Sequence, residues 1–332
     1  MYPLRRVDER SLPKDAAGCV FTCDVDKTYL ETRFSSARGL IRIPFEWAED
    51  KKAVPGMAPV LRAIRFGPGR RNRQVPFYFL TASPPFLARE LMRKMLRDGV
   101  QADGITFKDW GAILAHRRPG WIRRQTAYKL CALLHQRTFL PDKTQEILIG
   151  DDAESDAVAY ALYADICAGR LGGDALDAIL AREKCDGRER REVLGASANI
   201  GRTAERVRRA YILLARGSDP RAFLPFGDGI VACRGPFQLA CHLAVEGLVR
   251  PRAAEEAAKE LIAAKRADID SLTEEAADGL RRSLFTAEKF EQLAKPLRDG
   301  GLIKEFEAPD PSPRWTAPRR ENRGGIWYPP GV

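Results

Sequence analysis

The chain has 332 residues, 45% of them hydrophobic, with 55 Lys and Arg against 45 Asp and Glu and a formal net charge of +10. This is enough for a sizeable core and suggests about two domains; the charge excess favours an anionic partner without choosing among nucleic acid, lipid headgroup and phosphate ester. The opening MYPLRRVDER lacks the apolar run of a secretory signal, and no stretch nears the ~18 consecutive apolar residues of a membrane span. Seven cysteines with no C-x-x-C pair, and a Cys19-x-x-x-Cys23 spacing without partner ligands, suggest reduced structural thiols in a cytoplasmic protein.

Residues 1–17 read as a lead. From Gly18 to 186, short β-branched or aromatic runs alternate with amphipathic stretches. The expected strands are GCVFTC (18–23), PFYFL (76–80), GITF (104–107), EILIG (146–150) and ADICAG (164–169). The expected helices are 54–65, 84–98, 121–136 and 153–163, with Ser83 a fitting N-cap ahead of Pro84 and Pro85. Strand–helix alternation with continuously apolar strands predicts an α/β fold with a parallel sheet covered on both faces. Residues 187–303 carry three-to-four spacing throughout and read as a helical region without strands. Residues 304–332 are rich in Pro, Gly and Arg and read as an extended tail, with Trp315, Trp327 and Tyr328 suited to docking on a surface.

The first strand runs into Asp24-Val25-Asp26-Lys27-Thr28, two carboxylates two residues apart where open parallel sheets place their ligand sites. The second ends in Thr81-Ala82-Ser83. Lys129 follows in the apolar run YKLCALL, and the fourth strand ends in Asp151-Asp152-Ala153-Glu154-Ser155-Asp156, an acidic cluster in a basic chain. The order Asp-x-Asp, Thr/Ser, Lys and Gly-Asp-Asp-x-x-x-Asp resembles the four motifs of the haloacid dehalogenase (HAD) superfamily. GDDAESDAVAY (150–160) is similar to the GDSGQxDPExY motif of the actin-patch-protein-type phosphatidate phosphatase domain. LTASPPFL (80–87), VPGMAPVLRAI (54–64) and ITFKDWG (105–111) resemble its SNSPW, PGM and LRDWG elements. The chain departs from that pattern at Lys27, where the family often has an acid, at Ala82, which replaces Asn, and at Pro85, which replaces Trp.

The resemblance implies a three-layer HAD-like Rossmannoid sheet and a Mg²⁺-dependent phosphomonoester hydrolase. Asp24 would be the nucleophile that forms an aspartyl-phosphate, and Asp26 the general acid and base. Asp24, Asp151 and the Asp26 carbonyl would hold Mg²⁺, with Asp152 or Asp156 supplying a further ligand. Thr81 and Lys129 would bind the phosphoryl group; Thr28, Ser83, Arg123 and Arg124 are further phosphate-facing candidates. Residues 51–140 hold 18 Lys and Arg against 4 Asp and Glu, so Arg62, Arg65, Arg70, Arg71 and Arg73, with Arg117, Arg118, Arg123 and Arg124, are expected to rim the mouth of the site. About fifty residues between Asp26 and the second strand leave room only for a small cap, which suits a bulky or surface-bound substrate. Phosphatidate, met by a soluble protein at an anionic membrane surface, is the leading substrate. A nucleic-acid-end phosphatase with the same site, or a non-catalytic binding module of the same fold, are the rivals; oligomeric state is not legible.

Overall fold

Strand β2 (Ala17–Asp24) lies at the centre of a seven-stranded sheet of order β1-β4-β3-β2-β5-β6-β7. The computed structural model describes residues 2–8, 10–31, 52–122, 124–201, 204–312, 315 and 327–329. Strands β2, β3 (Phe77–Thr81), β4 (Gly104–Lys108), β5 (Lys143–Asp151), β6 (Val207–Leu213) and β7 (Ile230–Cys233) run parallel; β1 (Leu4–Asp8) pairs antiparallel with β4 at one edge. From β2 the chain moves through β3 and β4 to one side, then crosses back to β5, β6 and β7 on the other. The direction reverses between β2 and β5, and the crevice beyond the carboxyl ends of these two strands is where such sheets bind ligands.

Helices cover both faces, as a parallel sheet requires. On one side, α1 (Met57–Phe66) and α2 (Ala88–Arg97) pack with α8 (Pro236–Val245), α9 (Arg252–Ala263), α10 (Ile269–Arg281) and α11 (Ala287–Asp299) over Phe21, Cys23, Phe79, Ile147 and Ile149. On the other, α4 (Thr126–Arg137), α5 (Asp156–Cys167), α6 (Gly173–Arg182) and α7 (Gly187–Ala198) pack over Leu80, Leu148, Ala210 and Ile212. The short α3 (Trp110–Ala115) follows β4. The period of two in β2 decides what each layer meets: Phe21 and Cys23 face the first layer, and Thr22 and Asp24 face α4. Along α4, Gln136 and Lys129 lie seven residues apart on one stripe. Gln136 Nε2 donates to Thr22 Oγ1 at 2.7 Å, and Lys129 reaches Asp24.

Several expectations need correcting. ADICAG is not a strand: Ala164–Cys167 complete α5 and the chain then turns at Gly169. The region from 187 is mostly helical, but it also supplies β6 and β7 to the same sheet, so the core runs across the boundary expected at 186. The lead contributes β1. Ser83 does not cap α2: the chain enters a 3-10 turn at Pro85–Leu87 first, and Ser83 turns toward Asp26. The small cap falls largely on residues 32–51, outside the described residues. The tail returns to its own fold: the backbone N–H groups of Trp327 and Tyr328 donate to the buried Asp165 carboxylate at 2.8–3.1 Å, and Tyr328 Oη donates to Glu183 at 2.8 Å. The Trp327 indole covers Gly229, where a Cβ would overlap the ring.

His242 on α8 gives the fold a pH dependence. Its Nδ1 lies 3.1 Å from Tyr211 Oη in a buried pair, faced by Glu246, Arg208, Arg209 and Arg282. Burial, only partly countered by Glu246, pushes the imidazole down to about 4. The unfolded chain, with a value near 6.5, therefore binds more protons than the native state between these limits. Stability is complete above about pH 6.5 and falls as pH drops toward 4, by about 3 kcal/mol in all from this group. Denaturant midpoints of wild type and His242→Gln across that window check the effect; the variant should lose the His242 share of the slope.

Candidate active site

Three strand ends meet at the crevice: Asp24 closes β2, Thr81 closes β3 and Asp151 closes β5. All three side chains are buried, as are Thr28, Lys129 and Asp156. One carboxylate oxygen from each of Asp24, Asp151 and Asp156 lies within 4.8 Å of the others. Lys129 Nζ stands 3.1 Å from Asp24 Oδ1 and 3.0 Å from Glu154 Oε2, and it donates to Asp156 Oδ1.

The surrounding hydrogen bonds fix most of this group. Thr28 Oγ1 donates to Asp151 Oδ2 at 3.2 Å, and the Asp151 N–H donates to Asp156 Oδ2 at 2.9 Å. Asp156 can fold back this far only because residue 150 is glycine: a Cβ there would overlap the Asp156 carboxylate. Gly150→Ala should therefore cost about 1–3 kcal/mol through overpacking. A denaturant midpoint equal to wild type would show that Asp156 relaxes freely. Asp26 turns the other way, its Oδ2 accepting from Thr81 Oγ1 at 2.9 Å and from Ser83 Oγ at 3.5 Å. The Ser83 N–H donates to Thr81 Oγ1 at 3.0 Å. Two aromatics hold this turn: the buried Tyr128 donates its Oη to the Thr81 carbonyl at 2.5 Å, and the half-buried Trp110 its Nε1 to the Ala82 carbonyl at 2.8 Å.

Asp24 differs from its neighbours. Neither of its buried oxygens accepts a hydrogen bond. Burial raises its carboxyl well above the ordinary range, against the lowering effect of Lys129. Burial and the Asp156 charge push Asp151 up to about 7, and burial raises Asp156. Burial would lower the Lys129 ammonium, but Asp156, Asp24 and Glu154 together raise it. Glu154 alone is lowered, because Lys129 outweighs the cost of burying it. Four carboxylates thus share one ammonium, and the excess negative charge draws either protons or a cation. The open oxygens of Asp24 and the all-oxygen donor set of Asp24, Asp151 and Asp156 fit a hard divalent cation such as Mg²⁺.

Other expected residues lie elsewhere. Both oxygens of Asp152 accept backbone N–H groups from the loop after β6, from Arg216 at 2.8 Å and Ser218 at 3.0 Å, so it braces that loop and stands apart from the acidic triad. Arg124 pairs with Asp186 at 2.7 Å and Glu189 at 2.9 Å, the capping box of α7, and does not face the crevice. Arg123 lies outside the described residues. Arg62, Arg65, Arg70, Arg71 and Arg73 precede β3 and so lie toward the amino ends of the strands, opposite the crevice. Arg62 Nη1 binds the Asp98 carbonyl at 2.7 Å and Arg65 pairs with Asp103.

Sequence reasoning missed Glu154 as a partner of Lys129, although it lay inside the acidic run. It also missed Lys108, buried at the end of β4, whose Nζ lies 5.0 Å from the Tyr128 ring centroid and donates to the Ile122 and Arg124 carbonyls. Its position in ITFKDWG was the available signal. Burial lowers its ammonium to about 7.

Residues 19–172 match a family model described as the phosphatidate phosphatase APP1 catalytic domain. No curated protein and no solved structure matches the chain.

Proposed function

We propose, from the premise that residues 19–172 are a phosphatase domain of the phosphatidate phosphatase APP1 family, that this protein hydrolyses phosphomonoesters through a covalent phosphoryl-Asp24 and that its substrate is phosphatidate or a related phospholipid. The observation that carries this reading is the buried Asp24 carboxylate, at the end of the central strand, with both oxygens free of hydrogen bonds. A buried carboxylate that accepts no hydrogen bond, with the Lys129 ammonium 3.1 Å from its Oδ1, keeps lone pairs open for attack on phosphorus.

In this mechanism Asp24 attacks phosphorus in line with the ester oxygen, and the leaving alkoxide takes a proton from Asp26. Thr81 and Ser83 orient the Asp26 carboxyl, both through Oδ2. Asp26 then removes a proton from the water that hydrolyses the acyl phosphate, so its own proton count is restored. Lys129, directly beside Asp24, offsets charge on the phosphoryl oxygens. Mg²⁺, held by Asp24 and Asp151 with Asp156 behind them, would neutralise the remaining negative charge of phosphoryl group and carboxylates.

Membrane access follows from the substrate. No helix among the described residues is long and apolar enough to cross a membrane; on this reading the protein meets its lipid from the water side, at the surface of an anionic bilayer.

The test is phosphate release from phosphatidate in mixed micelles by the full chain. Release should require Mg²⁺, stop with EDTA and resume when Mg²⁺ is restored, and small sugar phosphates and 5′-phosphorylated oligonucleotides should be poorer substrates. Equal rates in EDTA would remove the metal from the account; hydrolysis confined to sugar phosphates would remove the lipid.

A further inference from the structure

Lys129 has more anionic neighbours than it can serve while also meeting a substrate. An ammonium has three N–H donors, and three carboxylates surround this one: Asp24, Glu154 and Asp156. For a phosphoryl oxygen to come within reach of Lys129, one of the three carboxylates that already lie within 3.1 Å of its Nζ must give up its place. Asp156 is anchored, because its second oxygen accepts the Asp151 N–H and its side chain is packed against Gly150. Asp24 is short, buried and the reacting group. Glu154 is different: it lies on the turn before α5, its side chain is 14% exposed against 0% for Asp156 and 1% for Asp24, and its Oε2 meets Lys129 Nζ at 3.0 Å.

We propose that Glu154 is a displaceable counter-anion, which neutralises Lys129 in the substrate-free site and is pushed aside by the phosphoryl group that takes its place on the ammonium. The inference rests on the phosphatase reading above and adds a basis for selectivity. A phosphomonoester carries roughly −1.5 to −2 charge near neutral pH, so it gains by replacing a single carboxylate. A phosphodiester brings one negative charge and merely exchanges one anion for another. Glu154 thereby favours monoesters over diesters. Once released, its carboxylate remains in the field of Lys27 and Lys108, both close enough to stabilise its charge. It is a positioning residue: it acts on substrate only through Lys129.

The test is calorimetric titration of inorganic phosphate into the full chain with magnesium chloride present, comparing wild type, Glu154→Gln and Glu154→Ala. Both variants should bind phosphate roughly tenfold more tightly, the factor that about 1.4 kcal/mol carries. In steady state, KM for p-nitrophenyl phosphate should fall while kcat stays within about twofold, and the relative rate on bis(p-nitrophenyl) phosphate should rise. A purely structural role would not tighten phosphate binding in two chemically different variants. Binding by both variants that is no tighter than wild type, including no binding at all, overturns the proposal. If the variants bind phosphate more tightly but wild type hydrolyses no monoester, the phosphatase reading fails and the counter-anion survives.

Discussion

Asp24→Asn should abolish phosphate release, by at least about 10³-fold, while leaving the fold as stable as wild type or more so. The activity loss follows from removing the nucleophile of a covalent mechanism, where single substitutions forfeit nearly the whole chemical contribution of the group. The stability result follows from linkage. Burial raises the Asp24 carboxyl well above its ordinary range, so ionising it costs more in the native state than in the unfolded chain. For such a group stability is greatest below the unfolded value near 3.9 and declines as pH rises toward the folded one. Asparagine carries no charge and removes that cost. Thermal melts at pH 8 without added metal, run beside phosphate-release assays, check both halves. A variant that lost activity together with several degrees of melting temperature would have been inactivated by misfolding.

Lys129→Met gives the second large effect, with the opposite sign on stability. The ammonium is fully buried and pairs with Asp24, Glu154 and Asp156 at once. Removing it leaves three carboxylates in the interior without their counter-charge, and breaking a buried pair from one side typically costs about 3–5 kcal/mol. Protonation can relieve the repulsion, so the loss should grow as pH rises above the raised carboxylate values, Asp151 at about 7 among them. Urea midpoints at pH 5 and pH 8 test this. The deficit should be clearly larger at pH 8, and Lys129→Met/Asp156→Asn should recover part of it. An equal deficit at both pH values would mean that lost packing of the lysine stem, rather than lost charge, is responsible.

The catalytic half of the fold was legible because its strands are short continuous apolar runs ending in chemistry. VFTCD, FYFLT and EILIGD each carry buried residues up to a polar terminus, and a parallel sheet gathers such termini at one end. The two strands beyond residue 187 were hidden for a related reason. VRRAYIL (207–213) and the Leu214 that follows it put Val207, Ala210, Tyr211 and Leu214 at spacings that also suit a helix, and IVAC (230–233) is too short to carry a period. ADICAG failed in the opposite direction: its β-like run is the buried end of α5, a helix apolar nearly all round.

Side-chain destinations were less legible than element types. Asp151, Asp152, Glu154 and Asp156 form one acidic run. The geometry divides it into two carboxylates beside Asp24, one counter-ion on Lys129 and one brace for the loop after β6. Nothing in the spacing separates these fates, because they depend on partners far along the chain, from Lys129 to Thr28, which lies 123 residues from Asp151. The basic rim failed for topological reasons. Arginines between α1 and β3 stand close in sequence to the catalytic strands but at their amino ends. Only those after β4 lie toward the reacting end, and Arg124 among them is spent on capping α7.

The central claim is that phosphorus is transferred to Asp24. Wild-type protein mixed with a ³²P-labelled phosphomonoester and Mg²⁺, quenched in acid within a single turnover and digested, should yield a labelled peptide containing Asp24. That label should be sensitive to hydroxylamine and missing from Asp24→Asn. Label on any other residue, or wild-type turnover by the variant, would contradict the account.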